Sequence, residues 1–305
     1  MSAAARANLA GAALLAGAMT LFNAGDTFVK LLSERLPLPE VIAARNLLAV
    51  GLVLLAWVAR PGLIRAAHLA DRGVLARAGL DTCTTLLYLL GVSLLPLAEA
   101  ATLLFVSPLL GTALAGLVLR ERVGAARWLA VAAGFAGVLL VAQPGGDGWR
   151  PEALLPLAAA CFMAVADIVT RRIDPAVGPA SVVLTNLAAV AIAAGLWAAL
   201  DPRPVATADL PALLLAAGFL LAGYLTYVAA FRLGEVSFVA PFKYAGLPAA
   251  ALLGWLVWGH VPNGLAMAGM GLIVVSGLMV LGESAGTGRT SSPEPIFPGR
   301  GENGR

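Results

Sequence analysis

The chain has 305 residues, 60% of them hydrophobic and only 12% charged, with a net charge of +3 and a mean hydropathy of +0.89. A soluble domain is about 25% charged, so this composition cannot dress a water-facing surface, and an ordinary soluble enzyme is excluded. The basic balance does not point to nucleic acid as a partner, because the arginines mostly sit between apolar runs, as in the cytoplasmic loops of a membrane protein.

Ten apolar runs follow in order, at 9–32, 41–58, 74–94, 98–119, 128–142, 153–170, 180–200, 210–231, 236–258 and 264–281. A membrane-crossing helix needs about 20 apolar residues. The runs are too long for barrel strands and lack their alternation, and the first is too long for a signal-peptide core. The expected fold is therefore an all-α integral membrane bundle of ten transmembrane helices. Residues 1–8 read as a cytoplasmic N-terminus and the Gly/Pro-rich 143–152 as a linker. Residues 283–305, with almost no apolar content, read as a disordered cytoplasmic tail. Cys83 and Cys161 lie within apolar runs without metal-type spacing and are expected to be buried free thiols.

With both termini inside, the inner side holds Arg6, Arg60, Arg65, Arg72, Arg77, Arg120, Arg122, Arg127, Arg171, Arg172 and Arg232. The outer side then holds Lys30, Arg35, Arg45, Arg150 and Arg203. Positive residues accumulate on the cytoplasmic side, so the expected orientation is N-in and C-in, in a bacterial inner membrane.

The chain also repeats itself. Pro39 and Pro179, Pro108 and Pro248, and Gly137 and Gly277 are each 140 residues apart, and Asn46-Leu-Leu-Ala-Val50 echoes Asn186-Leu-Ala-Ala-Val190 at the same offset. Asp26 and Asp167 are 141 apart, and Leu97-Ala-Glu99 echoes Leu233-Gly-Glu235. The halves are 9–142 and 153–282. Five helices is an odd number, so the second copy must insert upside down, the inverted repeat of secondary transporters, with a substrate site where the repeats meet.

Leu95-Pro-Leu-Ala-Glu-Ala-Ala101, Phe105-Val-Ser-Pro-Leu109, Leu119-Arg-Glu-Arg-Val123 and Gly134-Phe-Ala-Gly-Val138 resemble the first repeat of the EamA family, in the drug/metabolite transporter superfamily. Ala240-Pro-Phe-Lys-Tyr244, Gly254-Trp-Leu-Val-Trp-Gly-His-Val-Pro262 and Gly271-Leu-Ile273 resemble the second. The resemblance implies a ten-helix inner-membrane carrier of small metabolites, many of them moved outward. The family often has Gly-Glu at the ends of its fourth and ninth helices. Here those places read Arg120-Glu121 and Gly259-His260, so the first acid is kept and His260 stands in place of the second.

Ionisable groups at bilayer depth are costly and point to function. Asn23 and Asp26 share a face of the first run, and Asp167 is the repeat counterpart of Asp26. Together they read as groups that bind an amine or carry a coupling proton. Asp81, Thr85 and Tyr88 form one polar stripe on the third run, as Tyr224 and Tyr227 do on the eighth. Lys243, beside Tyr244, lies between Pro241 and Pro248, where a loosened helix frees backbone toward a cavity. An Asp26–Lys243 arrangement would suit a zwitterion. Glu99, Pro108 and Pro248 read as gating or hinge residues, and His68 and His260 as structural.

The expected function is a secondary carrier exporting a small polar, amino-acid-like or carboxylate-bearing metabolite, a metal chelator included, with coupling to protons through an aspartate. The alternative is uptake of a vitamin, S-adenosylmethionine or a similar nutrient. No GxxxxGK[ST] segment and no catalytic set at helix depth occur, so neither ATP use nor catalysis is expected. No cofactor or metal is implied. The expected partners are a small-molecule substrate and the lipid bilayer; the oligomeric state stays open, and a monomer is compatible with the sequence.

Overall fold

The computed structural model describes residues 3–60, 64–117, 124–144, 150–170, 173–174, 176–234 and 236–287. Arg120, Glu121, Arg122, Arg171, Arg172, Glu235, linker residues 145–149 and the tail from 288 lie outside the described residues. Among those described the regular elements are all helical: α1 (Ala3–Ser33), α2 (Leu38–Ala59), the short α3 (Ala66–Leu69), α4 (Arg72–Leu94), α5 (Leu97–Leu104), α6 (Ser107–Leu117), α7 (Ala125–Ala142), α8 (Leu154–Thr170), α9 (Pro179–Ala198), α10 (Leu210–Leu233), α11 (Val236–Val239), α12 (Gly246–Trp258) and α13 (Gly264–Thr287). Among the described residues, six segments are long and apolar enough to cross a membrane: Ala5–Ser33, Leu38–Ala59, Leu97–Leu114, Pro151–Thr170, Pro179–Ala198 and Thr207–Leu233. Trp128–Ala142 and Gly264–Val280 are shorter apolar helices.

The helix ends follow local chemistry. The side chain of Asp71 caps α4, accepting from Gly73 N at 2.9 Å and Val74 N at 3.0 Å. Pro179 opens α9 at a position where its missing N–H costs nothing. Gly259, at φ 67°, closes α12 in the left-handed region, letting its N–H reach Trp255 O and that of His260 reach Gly254 O. Two ends run past expectation. α1 starts at Ala3 rather than near residue 9, because Ala3-Ala-Ala-Arg-Ala is strongly helix-forming. α13 continues to Thr287, so the segment expected to be disordered from 283 begins as helix.

Two expected runs are not continuous. The fourth splits into α5 and α6 at Phe105–Val106, one turn before Pro108; a proline ring clashes with the carbonyl four residues earlier, here Leu104. The ninth splits into α11, a 3-10 stretch Ala240–Ala245 and α12, with Pro241 and Pro248 inside it. The hinge candidates Pro108 and Pro248 thus stand just after matching breaks, and Glu99 is half-buried in the first turn of α5.

The helices pair across the chain: α1 packs on α10, α8 on α4, α2 on α9, and α7 on α13. The polarity of the bundle runs opposite to that of a soluble protein. Leu47, Leu55, Val58, Leu129 and Leu200 project outward, whereas Asn23, Lys30, Arg45 and Asn46 are buried. Outward apolar side chains of this number suit a lipid surround. Cys83 and Cys161, expected inside, are free thiols on that outer surface, where a small apolar side chain is equally at home. Several threonine hydroxyls bond back to carbonyls one turn earlier, as Thr27 does to Asn23 O at 2.8 Å and Thr102 to Ala98 O at 2.6 Å, so these donors are satisfied within their own helix.

Side chains tie the elements at the end of the bundle where α1 stops. Lys30, 6% exposed, donates from Nζ to Val92 O and Leu95 O, each at 2.7 Å, and lies 5.5 Å from the centre of a Trp258 ring. Trp258 Nε1 donates to Glu34 Oε1 at 2.6 Å, Arg35 pairs with Asp209 at 3.0 Å, and the Gln143 and Asn263 amides exchange hydrogen bonds.

Candidate functional site

Between α1, α2, α4, α5, α8, α9, α10 and the 3-10 stretch lies a cavity of about 290 Å³, near the lower edge of the roughly 300–1,000 Å³ usual for ligand pockets. Seven of the expected site residues line it: Asn23, Asp26, Asp81, Tyr88, Asp167, Tyr227 and Lys243. Thr85 and Tyr224 of the two polar stripes do so as well. Tyr244 does not line it: it is buried against Phe105, with ring centroids 5.8 Å apart, and its hydroxyl has no hydrogen-bond partner. Glu99, Pro108 and Pro248 also lie off the cavity wall.

Four of the charged groups form two pairs. Asp26 is 3.7 Å from Arg45 and accepts from the Tyr88 hydroxyl at 3.2 Å. This joins α1, α2 and α4. Arg77 pairs with Asp81 one turn further along α4 at 3.0 Å and donates to the Thr170 hydroxyl of α8. Arg45 was placed on the outer side and Arg77 on the inner side; both are cavity residues, and the i, i+4 spacing of Arg77 and Asp81 was the available signal for the second. Lys243 faces the Tyr227 ring at 5.9 Å from its centre, and among the described residues no carboxylate lies within 4.0 Å of it. The pairing of Asp26 is therefore with Arg45, and Lys243 is left to other company. Asn23, 5% exposed, donates to Gly246 O at 2.8 Å, bonding α1 to the first residue of α12.

Three aspartates (26, 81 and 167) face three basic residues (45, 77 and 243) in the cavity, so its wall is formally neutral. Phe22, Tyr88, Phe105, Tyr224 and Tyr227 supply aromatic surface, with Phe22 and Tyr224 edge to face at 5.3 Å. Asn186 of α9, noticed in the sequence only as an echo of Asn46, also lines the cavity, and its Oδ1 is buried without a hydrogen-bond partner. Among the described residues no group of three or more His, Cys, Asp or Glu side chains is placed to hold a metal ion.

An apolar-surfaced helical bundle around a polar, aromatic-lined cavity is a polytopic membrane protein built to admit a small molecule. The profile of the EamA-like transporter family matches residues 9–143 and again 150–282, and the chain belongs to that family. It is similar to transporters of bacterial membranes. It is 35% identical to a riboflavin transporter of Vibrio cholerae over 59% of this chain and 61% of that one, so the match spans about three-fifths of that relative. A riboflavin transporter of Rhizobium johnstonii is 33% identical over 69% of this chain and 68% of its own. A pseudopaline exporter of Pseudomonas aeruginosa is 28% identical over 84% and 90%. A solved crystal structure with 21% identity superposes at a TM-score of 0.62, covering 90% of this chain and 98% of the other, a likeness of fold alone.

Proposed function

We propose that the chain is an inner-membrane secondary carrier for riboflavin or a closely related neutral, planar heteroaromatic solute. The carrying observation is the cavity wall, formally neutral and rich in aromatic rings. A flat ring system gains from stacking on such rings, and a neutral solute needs no uncompensated charge. Two riboflavin-transporting relatives support the same choice.

The architecture in this reading is ten crossings in two inverted five-helix repeats, 9–142 and 153–282, with both termini in the cytoplasm. The helix pairing supports it. Exchanging the halves maps α1 onto α8 and α4 onto α10, so the α1–α10 pair becomes the α8–α4 pair, while α2–α9 and α7–α13 map onto themselves. The substrate-contacting residues are Asn23, Asp26, Asp81, Tyr88, Asp167, Tyr227 and Lys243. The two broken helices lie at corresponding places, as in carriers whose halves rock about a fixed site. Such a fold sets no direction, which follows the gradients of the solute and of any coupled ion.

The test is growth and labelled-riboflavin uptake in a riboflavin auxotroph that lacks its own carrier. Rescue at low external riboflavin, saturable and absent from the empty-vector strain, is the expected result. No rescue at verified membrane abundance sinks the reading. The second reading is export of a carboxylate-bearing metabolite, favoured by Lys243, a cavity cation with no carboxylate within 4.0 Å among the described residues. It predicts instead a compound that accumulates in the deletion strain and vanishes from its medium.

A further inference from the structure

Resting on the carrier reading only in taking Lys243 as a solute contact, we infer that Tyr244 and Gly277 are positioning residues for the solute site. The Tyr244 ring, seated in the notch that Gly277 leaves in α13, holds the 3-10 stretch so that Lys243 stays on the cavity wall.

The stretch Ala240–Ala245 interrupts a helix. Its winding has poorer hydrogen-bond geometry than an α-helix, so its place is fixed by contacts with its neighbours. Three are visible. Lys243, on the cavity wall, bonds the Tyr227 hydroxyl of α10 and lies over that ring. Asn23 of α1 donates to Gly246 O at 2.8 Å, just past the stretch. Tyr244 is buried off the cavity, its ring centre 5.8 Å from that of Phe105 at the break between α5 and α6. Its tip fills the volume that a side chain at position 277 would need. A Cβ added to Gly277 would overlap the Tyr244 hydroxyl and Cζ and lie 2.7 Å from Cε2, and these are the three nearest atoms.

The Tyr244 hydroxyl has no hydrogen-bond partner, so shape alone makes this seat. The notch has firm backing. Gly269 and Ile273 of α13 lie so close to Gly137 of α7 that a Cβ there would meet both at 2.9 Å, so α13 cannot easily retreat. Consecutive Cα atoms are about 3.8 Å apart, and Tyr244 cannot leave the notch without carrying Lys243 with it. Overlap in a close-packed interior is relieved by displacement, and here the displaced element bears the cavity cation. Gly277 thereby acts on the cavity from α13, which contributes no residue to its wall among the described residues.

The test reads position 243 directly and needs no solute. Full-length protein is placed in lipid nanodiscs with Cys83 and Cys161 replaced by alanine. A reporter cysteine is introduced as Lys243→Cys or, elsewhere on the wall, as Thr85→Cys. Its modification by a water-soluble methanethiosulfonate is timed by mass spectrometry. Gly277→Ala should change the rate at 243 by about fivefold or more and leave the rate at 85 as it was. Adding Tyr244→Leu, which shortens the side chain to make room for the new methyl group, should restore the original rate. Tyr244→Leu with Gly277 intact empties the notch and should also alter the rate at 243, so the outcome does not hang on Gly277→Ala folding. An unchanged rate at 243 in either single variant, an equal change at both reporters, or no recovery in the paired variant would overturn the inference. With Lys243 in place, Gly277→Ala should raise the KM for riboflavin uptake about tenfold, the factor of one displaced charge-assisted hydrogen bond, and the paired variant should reverse it. A wild-type protein that moves no riboflavin sinks the proposed cargo, while the labelling rates decide the seat by themselves.

Discussion

The Asp26–Arg45 pair makes a prediction whose size can be worked out. Its separation of 3.7 Å gives an attraction of about 4 kcal/mol at an effective dielectric near 20. Breaking a buried pair by removing one partner costs about 3–5 kcal/mol, because the other charge is left uncompensated. The two single variants should not be equivalent. Asp26→Asn strands a guanidinium, which cannot shed its proton, whereas Arg45→Met strands a carboxyl, which can take one up. Asp26→Asn should therefore be the more destabilised. The double variant should recover most of the loss, giving a coupling of about 3 kcal/mol. Denaturant titration of the four proteins in one detergent measures the cycle, and riboflavin uptake at matched membrane abundance shows whether the charges serve more than folding. Additive single losses, with no recovery in the double variant, would refute the reasoning.

Other expectations follow from packing and hydrogen bonding. A Cβ at Gly269 would meet Gly137 O at 2.6 Å, short of ordinary contact, which begins at 3.4 Å, whereas one at Gly271 on the same helix meets nothing within 4 Å. Gly269→Ala should lose about 1–3 kcal/mol by prising α7 from α13, and Gly271→Ala should gain about 0.4–1 kcal/mol; thermal melts that move together would contradict this. Lys30→Met removes two charge-assisted hydrogen bonds and should cost about 3 kcal/mol, read as a lowered melting temperature with protein still reaching the membrane. Tyr244→Phe deletes a buried hydroxyl that has no partner, so stability should stay level or rise by about 1 kcal/mol and uptake should be unchanged. A marked fall in uptake would place Tyr244 back in the solute path.

Much of the candidate site was legible because a charge inside an apolar run has nowhere neutral to hide. Asp26, Asp81, Asp167 and Lys243 stood out for that reason and share one cavity. Partnership was less legible. Asp26 meets Arg45 across a helix hairpin, and nothing in the spacing tells which cation it meets. Arg77 near a helix start looks like a topology signal, and only its interval to Asp81 hinted otherwise. Tyr244 was read with its neighbour Lys243, but in a 3-10 stretch, with three residues per turn, adjacent side chains point about 120° apart. Breaks in the helices were foreseen as kinks at Pro108 and Pro248. Their depth, a full interruption with 3-10 winding in the second half, depends on tertiary packing around them.

The cluster at the end of α1 bears on kinetics. Lys30 in the last turn of α1 and Glu34 and Arg35 just past its end grip α4, Trp258 and Asp209. They can be released only as a group when that helix end moves. A carrier whose halves alternate would meet this as a shared activation barrier, lower when cations or salt compete for the carboxylates. Turnover limited by that step would quicken with ionic strength while affinity for a neutral solute stayed constant, so the latch would set the tempo of the cycle and leave selectivity to the cavity.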